Sequence, residues 1–279
     1  MERRNFGSTK RTVPVIGQGS WKIRESDRRP AIAAIQRGID LGMTHLDTAE
    51  LYEGAESIIA EAIAGRRDDV FVVSKVLPQH ASRARAIEAC EQSLTRLRIE
   101  KLDCYLLHWR GGHPLEETIG AFEDLVKQGK ILAWGLSNFG ERDLDEALAI
   151  AGEGRIACNQ VLYHLEQRAI EHAVLPWCEK HGIAVVGYTP FGQGPFPDAS
   201  SAPGRVLAEI ATAHQATPRQ VALAFLVRKP ALFAIPKASK VHHVTDNAGA
   251  GDLRLSAEEI ARIDKAFPLG RRTHELPTA

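Results

Sequence analysis

The chain has little of what would mark several large classes of protein. Its four cysteines, Cys90, Cys104, Cys158 and Cys178, form no Cys-x-x-Cys pair. That argues against a disulfide scaffold and a thiolate metal site, and reduced thiols are the expectation. Charge of one sign is not in excess: Lys plus Arg and Asp plus Glu both total 35. No overall field would draw the chain to nucleic acid or to an anionic membrane. No apolar run is long enough to span a bilayer, and Met1-Glu2-Arg3-Arg4-Asn5 leads into no apolar signal core. A cytoplasmic, monomeric protein is the expectation. A Gly-x-Ser-x-Gly elbow is missing, which removes the usual serine-hydrolase pattern. Gly17-Gln18-Gly19 offers two glycines, but Lys22 stands where a dinucleotide fingerprint needs a third. His108 and His113, and the adjacent His242 and His243, lack repeated ligand spacing, so no metal is expected.

What is present is a regular alternation. Residues 5–13 read as a hairpin turning at Gly7-Ser8, and Val13–Gly19 as a first buried strand. Strand-like runs then end at Asp47, Lys75 and His108, and further ones cover 131–136, 157–161, 183–188 and 232–236. Between them lie helical patterns: Ala31–Leu41, Ala55–Ala64, Ser82–Arg98, Pro114–Lys127, Arg142–Ile150, Ala169–Lys180, and the pair Val206–Ala213 and Pro218–Arg228. Two more helices, near Val241–Asn247 and Ala257–Phe267, follow the last strand. Eight strands alternating with helices, without a compositional break, predict one (β/α)₈ barrel over residues 1–279, with an N-terminal hairpin and two extra helices.

In such a barrel the carboxyl ends of the strands share one face, and that face carries the active site. Asp47, Lys75 and His108 are each delivered to it, roughly thirty residues apart, which fits one helix and two loops. Tyr52 follows Asp47 by five residues. A lysine beside a tyrosine lowers the phenol's pKa, and a carboxylate beside the lysine keeps it charged. The four residues suit protonation of a carbonyl oxygen, with Tyr52 as general acid and His108 as a hydrogen-bonding partner. A Schiff-base lyase would need a neutral lysine, and Asp47 opposes that.

These stretches resemble the aldo-keto reductases. Leu46-Asp47-Thr48-Ala49-Glu50-Leu51-Tyr52, with Glu56 beyond, is similar to the family's first signature. Val73-Ser74-Lys75 and Asp103-Cys104-Tyr105-Leu106-Leu107-His108-Trp109 are similar to its lysine and histidine strands. Gly135-Leu136-Ser137-Asn138-Phe139, Asn159-Gln160-Val161, Gly187-Tyr188-Thr189-Pro190 and Ile235-Pro236-Lys237-Ala238-Ser239 are similar to its coenzyme-binding stretches. The resemblance covers nearly the whole chain in order. It implies NADPH-dependent reduction of aldehydes and ketones, as in small bacterial members that reduce methylglyoxal. It implies that Ser137, Asn138 and Gln160 hold the carboxamide and that Tyr188 stacks on the nicotinamide. It further places the coenzyme against Gly19, Ser20, Trp21, Asp47, Thr189, Pro190, Phe191, Gln193, Lys237, Ala238, Ser239, His243, Asp246 and Asn247.

The chain departs from the pattern at three points. Arg110 stands where proline is frequent, Ala238 replaces a frequent serine, and His243 replaces an arginine that would grip a 2′-phosphate. Short loops after His108 and Tyr188 predict a wide pocket for a small-molecule carbonyl, walled by Trp21, Leu51, Trp109 and Phe191 with Arg110 at its rim. A nucleotide-binding regulatory subunit with little turnover is the competing expectation.

Overall fold

The computed structural model describes residues 1–272 and 275–278. A hairpin opens the chain: β1 (Arg3–Asn5) pairs antiparallel with β2 (Thr12–Pro14). Its Phe6 is fully buried beneath the barrel, with ring centroids 5.0 Å from Phe71 and 5.1 Å from Phe233. The expected first barrel strand is therefore split. Val13 and Pro14 belong to the hairpin, and the barrel strand is only β3 (Gln18–Gly19).

The remaining strands are β4 (His45–Asp47), β5 (Phe71–Val76), β6 (Cys104–Leu107), β7 (Trp134–Ser137), β8 (Ile156–Leu162), β9 (Ala184–Tyr188) and β10 (Leu232–Ala234). They pair in parallel, each with its sequence neighbour, from β3 to β10. Bridges Ile16–Ala234 and Gly19–Lys237 join the two edges and close the barrel. This is the predicted (β/α)₈ architecture. The helices are α1 (Arg28–Asp40), α2 (Ala55–Ala62), α3 (Arg83–Leu97), α4 (Leu115–Lys127), α5 (Glu141–Ala151), α6 (Val174–Lys180), α7 (Ala202–Ala213), α8 (Pro218–Leu226), α9 (Val241–Gly249) and α10 (Ala257–Ala266). That is two more than a barrel needs, as expected.

Two elements differ from the reading of the sequence. The helix expected over 169–180 breaks at Ala173, whose φ of −149° is not helical. Proline fits only the first turn of a helix, so α6 restarts just ahead of Pro176. The fifth strand begins at Trp134, because Ile131 makes only an isolated bridge to Leu102 and Leu132 is exposed.

Alternation along each strand builds two cores. On β5, Phe71 and Val73 turn into the barrel, while Val72 and Val76 pack against helices. On β6, Cys104 and Leu106 turn inward, while Tyr105 and Leu107 face helices. The inward series continues upward to Lys75 on β5 and to His108 just past β6. Period two thus brings both to the upper mouth.

Candidate active site

Asp47 is the last residue of β4, and the register sets it beside Val73 of β5. Lys75 Nζ lies 2.6 Å from Asp47 Oδ1 and donates to the Thr48 carbonyl at 2.8 Å. Gln160 on β8 donates to Asp47 Oδ2 at 2.7 Å. All three side chains are essentially removed from solvent. Burial pulls the Lys75 pKa down, but Asp47 and Tyr52 outweigh it and the net shift is upward, so Lys75 stays charged.

Tyr52 sits above this pair, its ring centre 5.0 Å from Lys75 Nζ. Its pKa is raised, because burial outweighs the lowering by Lys75. The direction is the reverse of the sequence expectation, which weighed the lysine and not the burial. The consequence is a phenol that holds its proton at neutral pH. Tyr52 OH is 3.5 Å from His108 Nε2. His108 is driven down to about 3 by burial and then by Lys75, so its ring is neutral. Its Nδ1 is buried with no partner. A buried N–H without an acceptor is costly. The proton therefore belongs on Nε2, which faces Tyr52.

These groups form the floor of a cavity of about 790 Å³. Its walls include Trp21, Leu51, Trp109, Arg110 and Phe191, the residues predicted for the pocket. Gly19, Ser137, Asn138, Thr189, Pro190, Gln193 and Lys237, predicted for the coenzyme, line it too. Tyr188 also lines it, and its hydroxyl donates to Asn138 Oδ1 at 2.8 Å. Asn138 Nδ2 donates to the His108 carbonyl at 3.1 Å and to Ser137 Oγ at 3.2 Å. Asn138 thus ties the histidine loop to β7 and β9. Ser20, Ala238, Ser239, His243, Asp246 and Asn247 are not part of the cavity wall. Asp246 accepts instead from Thr217 Oγ1 at 2.9 Å, and Asn247 is buried.

Five contributors were missed in the sequence, Gly192 and Ile235 on the cavity wall among them. Lys22 lines the cavity, lies 4.2 Å from the centre of the Trp21 ring and reaches Gln193 Oε1 at 3.5 Å. Its offset from the glycine pattern marked it only as a departure. Thr278, near the C-terminus, also lines the cavity. Arg219 of α8 stacks over Phe191 and Phe196, at 4.9 and 4.5 Å from the ring centres. Its charge, with those of His242 and Lys240, helps burial lower the His243 pKa. His243 is therefore neutral at pH 7, and permanent charge near it comes from Lys240 and Arg219.

The residues present fit a phosphorylated dinucleotide. Ser20 Oγ and Ser239 Oγ are buried without a partner, which a bound polar ligand would relieve. Lys237 makes no ion pair among the described residues, and partial burial lowers its pKa. A phosphate there would satisfy it.

A closed parallel barrel with a charged lysine, a protonated tyrosine and a neutral histidine at its mouth is a barrel equipped for acid–base chemistry. The chain belongs to the aldo-keto reductase family: the family model described as Aldo/keto reductase family matches residues 15–267. The chain is 44% identical over 261 residues to methylglyoxal reductase YeaE of Escherichia coli, covering 92% of each. It is 32% identical over 255 residues to the glyoxal reductase of Bacillus subtilis, covering 90% of this chain and 88% of that one. An aldo-keto reductase from Klebsiella pneumoniae, solved in complex with NADPH, superposes with a TM-score of 0.92 at 43% identity over the whole of both chains.

Proposed function

We propose that this chain reduces aldehydes and ketones with NADPH, using Tyr52 as the proton donor, Lys75 and Asp47 as its electrostatic support, and His108 to orient the carbonyl. The observation that carries the reading is the buried Lys75–Asp47 pair directly beneath Tyr52 and a neutral His108 on the cavity floor. Bound in the cleft, NADPH supplies the hydride that goes to the carbonyl carbon. The His108 Nε2–H holds the carbonyl oxygen within reach of the phenol. Tyr52 gives that oxygen its proton as negative charge builds there. Lys75, kept charged by Asp47, then stabilises the phenolate that remains. Lys237, Ser239, Lys240 and Arg219 would hold the phosphate end of the coenzyme, which makes up for the arginine missing at His243. The protein acts in this reading as a cytoplasmic monomer.

Substrate breadth follows from the walls. Trp21, Leu51, Trp109 and Phe191 all border the cavity, and Leu51 and Trp109 are exposed. A three-carbon aldehyde buries little of that surface, whereas a ring-bearing ketone buries more. NADPH oxidation measured across carbonyls of increasing size tests both parts. Turnover with several members, and KM falling from methylglyoxal to aromatic ketones, is the expected result. A steady rise of KM with size overturns the open pocket. Absence of turnover with intact NADPH binding favours the regulatory-subunit reading.

A further inference from the structure

Two carboxylates bracket Tyr52 and take no part in the acid–base group. Glu50 stands two residues before it and Glu56 four after it. Their side chains are only 7% and 3% exposed. Both reach the strand that carries Lys75. Glu50 Oε1 accepts from the backbone N–H of Leu77, just past β5, at 2.5 Å. Its two oxygens lie 3.1 and 3.2 Å from His80 Nδ1. Its own backbone N–H donates to the Lys75 carbonyl at 3.2 Å. Glu56 Oε1 accepts from Ser74 Oγ at 2.7 Å, and its Oε2 from Arg96 Nε at 2.5 Å. Ser74 is the neighbour of Lys75 on β5.

Between these two anchors the chain is thinly held. Leu51, Glu53 and Gly54 are exposed, and Gly54 turns into α2 with φ +73°. Tyr52 N donates only to the Ala49 carbonyl, within the same turn. Beyond the phenol's own contacts with Lys75 and His108, its distance from the lysine depends on what ties each end of the turn to β5.

We propose that Glu50 and Glu56 are positioning residues that fasten the Tyr52 turn to β5 and so hold the phenol against the Lys75 ammonium. The proposal rests on Tyr52 as the proton donor. Glu56 also joins α2 to α3 through Arg96, so its loss would mix placement with stability. Glu50 gives the cleaner test.

The experiment uses the full chain with Glu50→Ala and Glu50→Gln, each paired with its Tyr52→Phe counterpart. Misplacing a reacting group by an ångström costs up to about a hundredfold in rate. Glu50→Ala should therefore lower kcat by about tenfold or more, with an enlarged solvent deuterium isotope effect. Its affinity for NADPH, read by fluorescence, should not change. Glu50→Gln keeps an acceptor for the Leu77 N–H and should recover most of the loss. The ultraviolet difference spectrum between each protein and its Tyr52→Phe partner reports phenol ionisation without turnover. That titration should shift in Glu50→Ala and stay near wild type in Glu50→Gln. Wild-type kcat with a wild-type phenol titration in Glu50→Ala overturns the proposal, as does a loss lying wholly in NADPH affinity. A wild type inactive toward every carbonyl defeats the functional reading, while the titration still decides the positioning role. Should Glu50→Ala not fold, His80→Ala removes one partner of the same carboxylate. It is expected to shift the titration by a smaller amount, and no shift overturns the proposal.

Discussion

At the lower end of the barrel, β4 turns His45 inward; two residues on, at the upper end, it turns Asp47 inward. Both are buried. His45 packs edge-on to Phe6 and Phe71, with centroids at 5.5 and 5.7 Å, and neither ring nitrogen has a partner. Its pKa is lowered to about 3 by burial and then by Lys75, so it stays neutral. Asp47 receives Lys75 and Gln160 and opens onto the cavity. The same strand and the same inward face therefore carry one silent and one chemically equipped ionisable group. Burial alone makes a group unlike its aqueous self; partners and an adjoining cavity make it useful.

The largest test of that contrast is to remove the proton the upper end holds ready. Tyr52→Phe keeps the ring and loses the hydroxyl. Turnover should fall by about a hundredfold or more, as for a lost general acid, with NADPH binding retained. Near-normal turnover would take Tyr52 out of the role.

Next in size is to strip the upper end of its partner. Lys75→Met leaves Asp47 buried with Gln160 but without its counter-charge, and breaking a buried ion pair costs about 3–5 kcal/mol. Denaturant titration should show that loss along with lost activity. Adding Asp47→Leu makes the upper end as apolar as the lower. Stability should then partly return while turnover does not. Equal stability in the single and double variants would mean the pair is not the source of the cost.

A smaller effect belongs to the coenzyme end. Lys237→Ala and Arg219→Ala should each weaken NADPH several times more than NADH, since a phosphate contact is charge-assisted. Equal effects on both coenzymes would place neither residue at the 2′-phosphate.

The barrel and its acid–base floor were legible because both follow from period two and from strand ends. Asp47, Lys75 and His108 each continue an inward-facing series, so the sequence places them on one face. Arg219 was not legible, since it reaches Phe191 from a helix that the sequence does not join to that loop. Nor was the sign of the Tyr52 shift, because burial is set by the packed walls and not by neighbours in sequence. His45 lies two residues from Asp47, yet nothing in the sequence says that its neighbours in space are phenyl rings. The split of β2 from β3 depends on where the hairpin docks. In that docking Phe6 packs under Phe71 and Phe233 and Arg11 pairs with the buried Asp103, contacts distant in sequence.

The last and smallest effect is a pH dependence that reads the silent histidine directly. An unfolded histidine titrates near 6.5, and His45 in the folded chain titrates at about 3. Above the unfolded value both states are neutral, and His45 contributes nothing to the slope. Between the two values the unfolded chain binds a proton that the folded chain refuses, so stability falls as the pH falls. His108, also lowered to about 3, adds in the same window. His45→Phe removes one of these protons and puts a third phenyl ring beside Phe6 and Phe71. Stability from denaturant curves between pH 6 and pH 5 should therefore decline less steeply in the variant, by at most about 1.4 kcal/mol per pH unit. Subtracting the two curves cancels the carboxylates common to both proteins, and a constant change in packing shifts their separation without changing its slope. A variant as steep as wild type would mean that His45 already takes up its proton in the folded state. The lower end would then hold a charge as the upper end does, and the contrast between them would fail.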